Sequence, residues 1–141
     1  MATLMIISEG KCVLFLNGVK EKLDKVSSTL FEQKLFEQKQ KLFEQCIVNN
    51  YESGQGINKH IDLDAFGPVI GCFSLGSGCT MRFSLDEERV DIYIEPNSLY
   101  VMSGDARSKW THEMPATKTD LIDGKRVSRN RRVSLTFRSI I

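Results

Sequence analysis

From Cys46 onward the chain is cut into short apolar runs by turn-forming residues, and this punctuation limits the fold more than any other feature. Cys46 to Tyr51 reads as a strand and gives way to Glu52-Ser53-Gly54-Gln55-Gly56. Val69 to Leu75 ends on Gly76-Ser77-Gly78. Cys79 to Phe83 leads to Asp86-Glu87-Glu88, a polar hairpin tip. Val90, Ile92 and Ile94 alternate up to Glu95-Pro96-Asn97, and Leu99 to Met102 stops at Ser103-Gly104-Asp105. The last run, Arg132 to Ile140, sets Val133, Leu135, Phe137 and Ser139 against Arg132, Ser134, Thr136, Arg138 and Ile140. Many short strands separated by turns predict antiparallel sheets packed as a sandwich or barrel. A mainly β, double-stranded β-helix (jelly roll) fits the strand count and leaves an interior that can carry a metal on inward-facing side chains.

The first 45 residues read differently. Thr3 to Ile7 and Cys12 to Leu16, separated by Ser8-Glu9-Gly10-Lys11, predict a hairpin that stops at Asn17-Gly18. Residues 19–45 hold no Gly or Pro, and Leu23, Val26, Leu30, Leu35, Phe36, Leu42 and Phe43 are spaced as in a helix. Leu-Phe-Glu-Gln-Lys occurs at 30–34 and again at 35–39, and Leu-Phe-Glu-Gln returns at 42–45. Such a helix is expected to lie against the outside of a sheet; a partner-binding amphipathic helix is the alternative. The change in pattern divides the chain into an N-terminal region, 1–45, and a core, 46–141.

Totals exclude several classes. The chain is long enough for one domain with a sizeable core. A net charge of +1 gives no overall field to attract a polyanion. Cys12, Cys46, Cys72 and Cys79 form no CxxC pair, and three of them sit in apolar runs, as free thiols do in a reducing compartment. No signal peptide opens the chain, and no apolar run approaches the roughly 20 residues of a membrane span. The expectation is a soluble, intracellular monomer in cytoplasm or nucleus.

Chemistry concentrates at His60-Ile61-Asp62. Residues i and i+2 of an extended chain share a face, so this imidazole and carboxylate would point the same way. They make two thirds of a 2-His-1-carboxylate set, which holds non-haem Fe(II) and leaves coordination positions open. The chain has only one other histidine, His112, fifty residues beyond Asp62. An oxygenase of this kind needs a two-electron co-substrate. The commonest is 2-oxoglutarate, whose far carboxylate must be buried against a counter-charge, ideally an arginine. Arg132 and Arg138 lie six apart on the last strand and therefore share a face, with Ser134 and Thr136 between them. On that strand alone, the arginine face could equally be the solvent side of a sheet edge.

Taken in order, Asn49-Asn50-Tyr51, Gly54 and Gly56, His60-x-Asp62, Ser74-Leu75-Gly76, Gly104-Asp105-Ala106-Arg107 before His112, and Arg132-Val133-Ser134-Leu135-Thr136-Phe137-Arg138 resemble the AlkB family of Fe(II)- and 2-oxoglutarate-dependent dioxygenases. The resemblance covers residues 46–140. The wording of 46–62 is most similar to AlkB homologues that hydroxylate a modified wobble uridine in tRNA, and it is also similar to the DNA and RNA repair enzymes. The resemblance implies that His60, Asp62 and His112 bind iron, that Asn49 and Tyr51 hydrogen-bond 2-oxoglutarate, and that Arg132 pairs with its distal carboxylate. Arg138 would sit near the metal-proximal carboxylate and brace Asp62. Ser134 stands where the repair enzymes have Asn and matches the tRNA-modifying type. Asp64 corresponds to a carboxylate that touches the target base. The implied reaction uses O₂, turns 2-oxoglutarate into succinate and CO₂, and hydroxylates a C–H bond of a modified or alkylated base.

The substrate half is less complete. Family members usually carry a nucleotide-recognition lid ahead of the core, and here 48 residues precede Asn49, so a shortened lid or one supplied by a partner protein is expected. Lys125, Arg126, Arg129, Arg131 and Arg132 fall within eight residues and suggest phosphate contacts, Arg126 and Arg129 foremost. A solvated loop is the plain alternative. Trp110, Phe66 and Tyr100 would stack on a flipped base or fill the core. The expectation is a nucleic-acid oxygenase, RNA favoured over DNA. Competing expectations are the same chemistry on a protein or small molecule, and a non-catalytic jelly-roll binding module.

Overall fold

A computed structural model of the chain describes residues 2–8, 11–16 and 44–141. Within them the expected strands form: β1 (Ala2–Ser8), β2 (Lys11–Leu16), β3 (Gln45–Tyr51), β4 (Ile57–His60), β5 (Phe66–Gly76), β6 (Cys79–Leu85), β7 (Glu88–Ile94) and β8 (Ser98–Gly104). A one-turn helix, α1 (Asp105–Ser108), leads into β9 (Thr111–Met114), β10 (Thr119–Ile122), β11 (Lys125–Ser128) and β12 (Arg132–Ile140). The helix expected over 19–45 lies outside the described residues, save its last two.

Six strands form the major sheet in the order β2-β1-β8-β5-β12-β3, four form the minor sheet in the order β4-β9-β6-β7, and β10 and β11 make a separate ribbon. The pairings recorded between these strands are antiparallel. The hairpin expected at the N-terminus extends the major sheet, because β1 pairs with β8.

The core lies between the two sheets. Ile70, Cys72, Tyr100 and Met102 come from the major sheet, Cys79, Met81, Phe83, Ile92, Ile94 and Met114 from the minor one, and Trp110 precedes β9. Burying apolar area contributes roughly 25 cal/mol per Å², and this interlayer is where the alternating strands place their apolar side chains. Trp110 and Tyr100 belong to this core and are not free to stack on a base. Val90, expected to share the buried face of Ile92 and Ile94, is exposed because the start of β7 runs beyond the core. Cys72 and Cys79 are buried free thiols as expected, whereas Cys46 is exposed on β3.

The arginine face of β12 is the inner one. β12 is paired on both sides, by β3 and β5, so it is no edge, and Arg132, Ser134 and Arg138 are all buried. An inward polar face on a central strand is costly unless the polar groups meet partners, and this cost directs attention to what lies beneath it.

Candidate metal and co-substrate site

Strand register lays out the site in rows across the inner face of the major sheet. One row runs Tyr51, Arg132, Gly76; the next Asn49, Ser134, Ser74, Ser98; the next Ile47, Thr136, Cys72, Tyr100; the last Gln45, Arg138, Ile70, Met102. At about 3.3 Å per residue, Arg132 and Arg138 enter the site some 20 Å apart along the strand. Between them lies a cavity of about 280 Å³ whose lining includes Asn49, Tyr51, Arg132 and Ser134, together with His60, Asp62, His112 and Arg138.

The minor sheet brings the histidines together. His60 ends β4 and His112 lies on β9, and the two are register partners. Their ring centroids are 4.3 Å apart. β4 stops at His60, so Asp62 does not continue the strand as the sequence suggested. It lies in the segment joining β4 to β5, and its carboxylate still turns back toward the histidines. One ligand atom from each of His60, Asp62 and His112 falls within 4.8 Å of the other two. Nε2 of His112 is 3.8 Å from Oδ2 of Asp62.

The contacts around the cluster suit a cation. Nδ1 of His60 donates to the Asn58 carbonyl at 2.7 Å, so the Nε2 lone pair is left for a ligand. Burial chiefly, and the neighbouring His60 next, lower the His112 pKa to about 4 against the upward pull of Asp62. His112 is therefore a neutral imidazole at pH 7, the form that ligates metals. It is 7% exposed, and its Nδ1 is buried without a partner; the ring is held by packing near Phe83, 6.1 Å away. Asp62 accepts a hydrogen bond from Nη1 of Arg138 at 3.2 Å, while Nε of Arg138 donates to Gln45 and its guanidinium sits 3.6 Å over Phe66. Two imidazoles and one braced carboxylate make a donor set that fits Fe(II).

Arg132 fits an anionic co-substrate. It is 3% exposed. Nε donates to Ser74 at 2.8 Å and Nη1 approaches Met114 Sδ at 3.8 Å, while Nη2 is buried with no partner. No carboxylate of the described residues pairs with it. Tyr51 lies beside it, the guanidinium 5.5 Å from the ring centroid. A buried cation with an unused donor aimed into a cavity is what a ligand carboxylate would complete.

The basic cluster is divided by the fold. Lys125 and Arg126 are exposed on β11, and Arg131 is exposed and donates to Asn50 at 2.7 Å. Arg129 corrects an expectation. It is 3% exposed, ion-paired with Asp120, and donates to the Pro115 carbonyl at 2.7 Å. It cannot reach a phosphate because its donors are spent anchoring the ribbon. Asp120 resists burial through these bonds: burial raises its pKa, but Arg129 and the Thr80 amide outweigh it and hold the carboxyl below its usual range. Arg126 reaches only Thr119 within the ribbon, at 3.4 Å. Asp64 is exposed in the same segment as Asp62.

Sequence reasoning missed Arg107 as a site residue. Buried on α1, it donates to four main-chain carbonyls around Asp62. It stood in the sequence only as part of a motif before His112, and nothing in its spacing announced those acceptors.

Fold and site together define the class: the chain belongs to the 2OG-Fe(II) oxygenase superfamily, which matches residues 15–138 and whose members use Fe(II), 2-oxoglutarate and O₂. Its relatives are AlkB-like. It is 34% identical over 118 residues to the "Alkylated DNA repair protein ALKBH8 homolog" of Arabidopsis thaliana, covering 69% of this chain and 34% of that protein. It is 40% identical over 129 residues to the "Uncharacterized protein L905" of Acanthamoeba polyphaga mimivirus, covering 89% of this chain and 60% of that one. The chain thus spans less than two thirds of either relative. The solved structure of OsALKBH1 shares the fold, with a TM-score of 0.52 at 23% identity over 67% of this chain and 48% of that one. Among the described residues no helix is long and apolar enough to cross a membrane.

Proposed function

We propose that this chain is an Fe(II)- and 2-oxoglutarate-dependent dioxygenase that oxidises a modified or alkylated base in nucleic acid. The carrying observation is that the His60–Asp62–His112 cluster and the unpartnered Nη2 of Arg132 share one cavity. His60, Asp62 and His112 would hold iron. Arg132 would pair with the distal carboxylate of 2-oxoglutarate, with Asn49, Tyr51 and Ser134 as hydrogen-bonding neighbours. When bound, the cofactors supply the oxidation of a C–H bond by O₂, with 2-oxoglutarate leaving as succinate and CO₂. This chain's residues orient: Arg138 fixes the Asp62 carboxylate, and burial keeps His112 neutral, with one ring-nitrogen lone pair to offer. An N-methyl carbon hydroxylated here leaves as formaldehyde, whereas a side-chain CH₂ keeps the alcohol.

RNA is favoured over DNA because the wording of 46–62 is similar to the tRNA-modifying AlkB homologues. A base must be single-stranded or flipped to enter. Asp64 would contact it, and the exposed Arg126 of β11 would meet a phosphate of the same strand. His60, Asp62, His112 and Arg132 all come from one chain, so the proposed site needs no second copy, and a partner protein would supply any missing lid. The test is anaerobic addition of Fe(II) and 2-oxoglutarate, read by the visible charge-transfer band of the chelate, followed by O₂ and succinate assay with matched methylated RNA and DNA oligonucleotides. A band with oligonucleotide-stimulated succinate is expected. Absence of the band overturns the oxygenase reading, absence of stimulation overturns the nucleic-acid substrate, and faster turnover of DNA overturns the RNA preference.

A further inference from the structure

Arg107 is a buried cation that neither the triad nor the co-substrate pocket uses. It is 6% exposed. Nε donates to the Gly67 carbonyl at 3.2 Å, Nη1 to Asp62 at 3.0 Å, and Nη2 to Leu63 at 2.8 Å and Phe66 at 3.1 Å. No carboxylate of the described residues pairs with it, so four carbonyl dipoles carry its whole solvation. Two of those carbonyls, Asp62 and Leu63, lie in the link from β4 to β5, and the other two, Phe66 and Gly67, open β5. Arg107 itself comes from α1, five residues before His112. One side chain therefore ties the element that presents one imidazole to the backbone of the carboxylate opposite.

The tie has a consequence for the cluster. Asp62 is beyond the end of β4 and has no ladder partner to fix its height. Its carboxylate is braced by Arg138 and its main chain by Arg107, from different elements. Within the same link, the Phe66 amide donates to the Leu63 carbonyl at 3.1 Å, one backbone bond where a strand would have a ladder. Loss of Arg107 would take away these donors, the Leu63 carbonyl alone keeping the Phe66 amide. The loop would relax, carrying Asp62 with it.

We propose that Arg107 is a positioning residue for the metal centre: through the 62–67 backbone it sets the distance from Asp62 to His112, and hence divalent-metal affinity, without touching metal or co-substrate. The proposal rests on the reading of the triad as a metal site. The test is titration of the folded protein with Co(II), followed by its ligand-field absorption, for native protein, Arg107→Ala and Arg107→Lys. Outer partners of metal ligands typically change affinity 10–100-fold, and a loss of that size is expected for Arg107→Ala, with a smaller loss and a native-like spectrum for Arg107→Lys. Added guanidinium ion at millimolar concentration should recover affinity in Arg107→Ala. A role confined to general stability would not move these readouts well below the melting midpoint, and Asp120→Asn, which loosens the distant ribbon, serves as the control with unchanged Co(II) affinity. Native affinity in folded Arg107→Ala overturns the proposal. If Arg107→Ala does not fold, native affinity in Arg107→Lys overturns it instead. Failure of the native protein to bind Co(II) overturns the metal-site reading itself.

Discussion

Replacing Arg132 by methionine should move stability and co-substrate affinity in opposite directions. Arg132 is a buried guanidinium that has no counter-charge among the described residues and one unused donor. Replacing buried ionic groups by apolar side chains of similar volume is often neutral or stabilising by about 1–4 kcal/mol. Ser74 would lose its donor, about 1 kcal/mol against. The unliganded variant should therefore be as stable as native protein or more so, by up to about 3 kcal/mol. Binding tells the reverse. A dicarboxylate in the cavity would leave one charge buried without its partner, which costs about 3–5 kcal/mol, a weakening of roughly 100- to 4,000-fold. Ligand at 100 times its Kd stabilises by about 2.7 kcal/mol, which at roughly 2–4 °C per kcal/mol raises Tm by about 5–11 °C. The assay is thermal and urea unfolding with and without 2-oxoglutarate, under anaerobic conditions with Mn(II). Native protein should show the shift and Arg132→Met should not, despite an equal or higher starting Tm. A variant that melts several degrees lower yet keeps the full shift would refute both halves of this reasoning.

Three further outcomes follow from particular contacts. The His112 pKa of about 4, against about 6.5 in the unfolded chain, means that metal-free protein keeps its full stability above pH 6.5 and loses about 3 kcal/mol as the pH falls to 4 and below, because the unfolded chain takes up the proton first; urea midpoints at pH 7 and pH 4.5 should differ much less in His112→Gln. Asp120→Asn leaves Arg129 buried without its counter-charge and should cost about 3–5 kcal/mol, while Asp120→Leu with Arg129→Met should recover most of the loss in Tm. Gly56→Ala would drive a methyl group into the Met114 carbonyl of β9, so β4 must back away from β9, and Co(II) affinity should drop together with Tm; a variant with native values of both would show that the β4–β9 contact does not set the distance from His60 to His112.

Some of this was legible in the residues. Alternation and turn residues located β3 and the strands from β5 to β8, because a half-buried strand writes period two into its sequence, whereas β4 was missed: only 60–62 was expected to be extended, and the strand is Ile57–His60. The two arginines of β12, six apart, announced a polar face that had to be either solvent or site. Only the neighbours of β12 decide between them, and strand order is not written in any single strand. β9, β10 and β11 were hidden because Thr111 to Ser128 is mostly polar. One signal was available. Asp123-Gly124 is a two-residue hairpin turn, and both residues have positive φ, 48° and 76°, as a type I′ turn requires. The burial of Arg129 was illegible, since its partner Asp120 is brought opposite only by that hairpin. The triad was readable as residue types, but the end of β4 at His60 and the clamp on Asp62 depend on a side chain 45 positions away.

The pairing of β3 with β12 also governs how the molecule comes into being. Asn49 and Tyr51 are synthesised some eighty residues ahead of the strand that faces them, and the Arg138–Gln45 bond spans 93 positions. Such non-local closure is slow, because chain entropy is lost before the contacts form. Until β12 inserts between β3 and β5, the cavity has one wall and Arg138 has not met Asp62. On a translating ribosome, then, the Arg132 pocket stays open until β12 has emerged, and a chain cut short before Arg132 would keep the β4–β9 pairing of His60 with His112 and the Arg107 tie to Asp62 but would leave the Asp62 carboxylate without its Arg138 brace.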